Sequence, residues 1–163
     1  MPYIKEILAG IRFETRDDIS GLKVDKISRD SRDIGENGLF IAMRGYSLDG
    51  HDFIKDAVSN GAKAVLAERL FEAPAGVKKI FIKDLRSTLP AIAANFYGNP
   101  SKKLKFIGVT GTNGKTTITY LIEGILKKAG IAAGVIGTIE YRFKDKKIPA
   151  YSTTPGPLEL AAL

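Results

Sequence analysis

Residues 105–117 read KFIGVTGTNGKTT, and how this stretch folds decides how the rest of the chain is read. An apolar, β-branched run (Phe106, Ile107, Val109) leads into Gly111-Thr112-Asn113-Gly114-Lys115-Thr116-Thr117. After it, Leu121, Ile122, Ile125 and Leu126 fall at helical spacing within residues 118–129. Strand, glycine loop, then Lys-Thr at the opening of a helix is the layout of a phosphate-binding loop. Gly111 and Gly114 let the backbone turn tightly and bring its N–H groups close to phosphate oxygens. The free N–H groups at the helix start add partial positive charge. Lys115 is placed to reach the β- and γ-phosphates, and the Thr116 hydroxyl to ligate Mg²⁺. One position departs from the usual G-x-x-x-x-G-K-[ST] spacing, because Val109 stands where the first glycine is expected.

Composition narrows the partners. The chain has 163 residues, 44% hydrophobic and 26% charged, which suits one globular domain or a domain plus part of another. Lys and Arg outnumber Asp and Glu by 25 to 18, and the formal charge of +7 fits a small polyanionic ligand. Nucleic acid is disfavoured, since the basic residues are scattered and their one dense group, 144–147, is broken by Asp145. Without cysteine there is no disulfide framework and no thiolate metal site. The first residues lack the basic flank and apolar run of a signal peptide, and no apolar stretch approaches the roughly 20 residues that cross a bilayer. A soluble, cytoplasmic monomer is the expectation.

Outward from the loop, the pattern is α/β. A short helix is expected over residues 2–9, strands over 24–28, 39–43, 64–67 and 80–82, and a helix over 52–60 ending at Gly61. Asp84 suits the cap of a helix reaching Tyr97, with Leu89, Ile92, Ala93 and Phe96 as its apolar stripe and Pro90 expected to kink it. Gly98-Asn99-Pro100-Ser101 stops that helix and makes the best domain boundary. Beyond the phosphate loop, strands are expected over 132–136 and 138–143, turning at 144–147, then a loop over 151–157 and a helix from Leu158. A phosphate-loop domain needs several βα units to cover its sheet. With one such unit and a hairpin after Ser101, the chain is expected to be the N-terminal part of a longer protein.

Three stretches together resemble one family. GTNGKTT, residues 111–117, looks like the ATP loop of the Mur ligases, the ATP-dependent amide-forming enzymes of peptidoglycan synthesis. DSRDIGENGLFIAMRGYSLDGHDFI, residues 30–54, resembles the uridine-nucleotide domain shared by the MurE and MurF types. TTPGPLEL, residues 153–160, is similar to the loop after the second-domain hairpin in the MurE type, which adds the third residue of the stem peptide. Folylpolyglutamate synthases share the first stretch but carry glycine-serine after the lysine, where this chain has Thr116-Thr117.

The resemblance implies an α/β domain at residues 1–100 that binds a UDP-sugar, then the start of a parallel, P-loop ATPase-like domain at 101–163. It implies that Ser31 and Arg29 contact the uridine nucleotide, and that Tyr46, Ser47 and Leu48 belong to the loop closing over the uracil. Gly111, Thr112, Asn113, Gly114, Lys115, Thr116 and Thr117 would bind ATP, with Mg²⁺ on Thr116. Ser152, Thr153 and Thr154 would hold the muramoyl-peptide part of the substrate, hydroxyls being suited to sugar and carboxylate oxygens. Two positions depart from the family pattern. Glu36-Asn37-Gly38 replaces Pro-Gly-Asp, which alters only a turn, and Gly156 replaces a frequent glutamate and carries no role.

The activity implied is addition of a diamino acid, meso-diaminopimelate or L-lysine, to UDP-N-acetylmuramoyl-L-alanyl-D-glutamate. The D-glutamyl carboxylate attacks the γ-phosphate of ATP, and the amine displaces the resulting acyl phosphate. In this family the other metal ligands and a carbamylated lysine lie downstream, so the 163 residues alone are not expected to turn over. A non-catalytic nucleotide-sugar module and an unrelated P-loop NTPase are the alternatives. His51, the sole histidine, reads as a cap and packing element before a helix, since one histidine without carboxylate partners makes no metal site.

Overall fold

The computed structural model describes residues 1–45, 47–144, 146–150 and 154–163. Tyr46, Ser152 and Thr153, singled out above, lie outside the described residues. Strands β1 (Lys26–Ser28), β2 (Gly38–Ala42), β3 (Ala62–Ala67) and β4 (Lys78–Phe81) form a parallel sheet in that order. Every residue of β2 is buried, and every residue of β3 except Lys63. Such unbroken apolar strands belong in a sheet covered on both faces.

Alternation along β2 divides the core. Leu39, Ile41 and Met43 face one side, with Ile4 and Ile7 of α1 (Ile4–Ile7) and Leu85, Leu89, Ile92 and Ala93 of α3 (Leu85–Phe96). Phe40 and Ala42 face the other, against Ile54 and Ala57 of α2 (Ile54–Ser59). Burying each of these large aliphatic side chains contributes about 1.5–3 kcal/mol.

The expected Asp84 cap is present: its side chain accepts from the Ser87 N–H at 3.0 Å. Pro90 does not interrupt α3, which runs unbroken because its apolar stripe is locked in the core on both sides of the proline. The loop 28–38 carries a 3-10 turn at Ser31–Asp33, and another at Gly50–Phe53 precedes α2.

Helix α4 (Lys115–Lys128) opens at Lys115 itself, and strands β5 (Gly134–Ile136), β6 (Glu140–Phe143) and β7 (Lys146–Pro149) pair antiparallel. Two expectations change here. Residues 106–109 are not a strand: no neighbouring strand lies beside them among the described residues, and an isolated β-segment has nowhere to place its N–H and C=O groups. Lys146 and Lys147, expected in the turn, instead open β7, which pairs with β6; Lys144, ahead of it, adopts the left-handed backbone (φ 53°). Helix α5 (Pro157–Ala162) returns to the first sheet, where Leu158 joins the core beside α3.

Candidate functional site

Arg29 follows β1, and Met43 follows β2, so both stand at the carboxyl ends of parallel strands, where open α/β sheets place ligands. Between them lies a cavity of about 360 Å³. Ile41, Met43 and Phe53 give it apolar walls, while Arg29, Ser47 and Leu48 come to it from the loops. The structure thus brings three of the expected substrate residues together. Ser31 is placed differently: it is buried at the start of the 3-10 turn, its carbonyl accepting from the Asn60 side chain at 2.9 Å, and it does not line the cavity. Beside it Asp30 accepts from Arg32 Nε at 2.9 Å and Nη2 at 2.7 Å, a bidentate pair. The Arg32 side chain, and then the Arg32 N–H, hold the Asp30 carboxyl down to about 2.

The loop over this cavity is anchored at both feet. Gly50 N–H donates to the Met43 carbonyl at 3.0 Å, and Gly45 N–H to Leu48 at 2.8 Å. Gly50 must be glycine for a packing reason, since a Cβ there would fall 2.7 Å from the Met43 carbonyl oxygen. Asp49 caps the turn, accepting from the His51 N–H at 3.0 Å and lying 2.6 Å from His51 Nδ1. These backbone and side-chain bonds, with Arg69 3.1 Å away, keep the Asp49 carboxyl below its ordinary range. Composition alone could not mark Met43 and Phe53 as cavity residues, because apolar side chains beside a strand and a helix read as core.

At the other candidate site, Gly114 occupies the left-handed region (φ 77°) and ends the loop at the first turn of α4. Gly114, at the N-cap, makes no side-chain cap bond, the arrangement that lets the first N–H groups of a helix meet phosphate oxygens. Lys115 Nζ donates to the carbonyl of Gly111 at 2.6 Å and lies 3.4 Å from that of Thr112, so the ammonium sits within the loop. Thr116 is half-buried, and its carbonyl accepts from the Thr119 hydroxyl at 2.8 Å. N–H groups, an ammonium and a hydroxyl together fit a polyphosphate and its cation. Thr154 is exposed in a bend before the buried Pro155. Behind the loop, Arg142 of β6 binds Glu123 of α4 through Nε at 3.0 Å and through Nη2, and stacks 3.9 Å from the Tyr120 ring centroid. This clamp fixes the helix to the hairpin.

Comparison with known proteins adds the following. Residues 23–97 match the family described as Mur ligase family, catalytic domain, and residues 109–163 the Mur ligase middle domain. A UDP-N-acetylmuramoyl-L-alanyl-D-glutamate–2,6-diaminopimelate ligase of Clostridium acetobutylicum is 41% identical over 160 residues, covering 98% of this chain and 33% of that protein. Its counterpart in Geobacter sulfurreducens is 46% identical over 152 residues, covering 93% and 29%. Among solved structures, a ligase of the same name superposes with a TM-score of 0.74 at 26% identity, over 99% of this chain and 32% of the other. MurF from Acinetobacter baumannii superposes with a TM-score of 0.59 at 27% identity, over 76% and 26%. The chain therefore spans about a third of the length of the curated relatives it matches.

Proposed function

The chain belongs to the Mur ligase family, and from that footing we propose that it supplies the sugar-nucleotide site and the ATP loop of a cytoplasmic, monomeric, ATP-dependent amide ligase. Residues 1–100 form the UDP-sugar domain in this reading, and 101–163 begin the ATP domain. The acceptor substrate in this reading is UDP-N-acetylmuramoyl-L-alanyl-D-glutamate, and of the two diamino acids, 2,6-diaminopimelate is the one supported by the relatives' names. Among the described residues no helix is long and apolar enough to cross a membrane, which suits a soluble nucleotide substrate.

In the uridine site, Ile41, Met43 and Phe53 offer a flat apolar bed for the base, and the Arg29 guanidinium faces the diphosphate. Ser47 and Leu48 form the flap, Tyr46 has the role of a uracil contact in this reading, and Ser31 shapes the turn that presents Arg29. Ser152, Thr153 and Thr154 hold the peptide end of the substrate. In the ATP loop, residues 111–117 hold the triphosphate with backbone N–H groups, and Thr116 offers its hydroxyl to Mg²⁺. ATP when bound supplies the phosphoryl group that makes the substrate carboxylate reactive. Lys115 leaves two neutral carbonyls for charged phosphate oxygens, an exchange toward the stronger, charge-assisted bond. Fixed positive groups then stabilise charge on the transferred phosphoryl without reorganising.

The observation that carries this reading is an uncapped helix start with its lysine held in the loop, in the same chain as an apolar cavity edged by Arg29. Titration calorimetry tests it. The chain is expected to bind the UDP-dipeptide and Mg·ATP as separate events. Lys115→Ala weakens ATP binding by about tenfold or more and leaves uridine binding near its original strength. Arg29→Ala does the reverse. If Lys115→Ala abolished both equally, the loop would be a structural turn and the assignment would fall.

A further inference from the structure

His51 is the point where the flap, the sheet and α3 meet. Its side chain is only 6% exposed, and both ring nitrogens are engaged. Nδ1 lies 2.6 Å from Asp49 Oδ1, and the Glu68 N–H, just past the end of β3, donates to Nε2 at 3.3 Å. Since Nε2 accepts, Nδ1 carries the proton and donates to Asp49. The Glu68 side chain continues the line, its Oε1 accepting the Leu85 N–H at 3.1 Å at the first turn of α3. Asp49 is held from the other side by Arg69, and Arg86 of α3 donates to the Arg44 carbonyl at 2.9 Å. Flap residues on both sides of the tip are thus tied to rigid elements.

We propose that His51 is a positioning residue for nucleotide binding: its two ring bonds latch Asp49, at the foot of the flap, to the end of β3, so that Ser47 and Leu48 are held over the cavity before ligand arrives. The inference rests on the reading that this cavity takes a uridine nucleotide. A loop ordered in advance does not lose that freedom on binding, so the latch acts on affinity. His51 touches no ligand in this role and transfers no proton.

The test compares His51→Phe, which fills the ring's space and removes both bonds, with His51→Gln, which keeps an oxygen able to accept the Glu68 N–H. UDP affinity is measured by calorimetry, and exchange of the Gly45 and Gly50 amides is compared with that of Val65 and Leu66 in β3. His51→Phe is expected to weaken UDP about tenfold, the equivalent of one or two ordinary hydrogen bonds. It speeds exchange in the flap while leaving β3 protected, and His51→Gln recovers much of the affinity. Unchanged affinity in His51→Phe overturns the proposal, as does a loss that comes with equal loosening of Val65 and Leu66. If His51→Phe fails to fold, His51→Asn, which keeps only the Asp49 bond, takes its place, and equal affinity of Asn and Gln variants overturns the latch. Failure of the unmodified chain to bind UDP overturns the cavity reading itself and the latch with it.

Discussion

At the scale of single residues, the turn before β2 offers a pH-dependent measurement. Asp30 titrates at about 2 when folded, against an ordinary 3.8, because Arg32 binds its ionised form. A depressed folded value stabilises the native state fully above the ordinary value, and that contribution disappears as pH falls through the folded one. Carbon-detected NMR of the Asp30 carboxyl should therefore give a midpoint near 2. In Arg32→Ala the midpoint should climb toward 3.8 and stop short of it, because the residue-32 N–H still donates to Asp30. An unmoved midpoint would mean that the guanidinium pair is not formed in solution. Residue types also set the limit of what the sequence discloses. Lys115 is legible from spacing alone, whereas the bond from Glu68 to His51 is not, since Glu68 lies 17 residues away and only the fold brings it near.

Elements were legible where periodicity is strong. The strands of the parallel sheet and helices α2 and α3 follow from apolar runs, a capping aspartate and glycine stops. Residues 106–109 have equally β-branched character, yet β structure depends on a neighbour, and sequence pattern does not say whether one is there. The same dependence separates α3 from α4, which have similar apolar stripes in sequence. Leu89 of α3 is 3% exposed and Leu121 of α4 is 62% exposed. Leu89→Ala should lower unfolding free energy by about 2–5 kcal/mol in urea titration, through lost burial and the cavity left behind. Leu121→Ala should change it by less than about 0.5 kcal/mol. Equal effects would show that α4 packs as tightly as α3.

Over the whole molecule, burial is uneven. Two cores flank the parallel sheet, while α4 has no buried residue, and among β5 to β7 only Val135 and Tyr141 are buried among the described residues. The fold's division into a covered sheet and a sparsely covered helix and hairpin was not readable from composition, because the apolar content of the two parts is alike. It emerges only from which side chains find partners. One consequence concerns handling in the test tube. Phe106, Ile107, Leu121 and Ile125 are each more than 60% exposed, and large exposed apolar side chains are where hydrophobic dyes and other chains attach. In dilute buffer the 163-residue chain should brighten and blue-shift the dye ANS at native temperature, with its circular dichroism intact. It should also cloud as concentration rises, and Leu121→Glu together with Ile125→Lys should quench the glow and keep the solution clear.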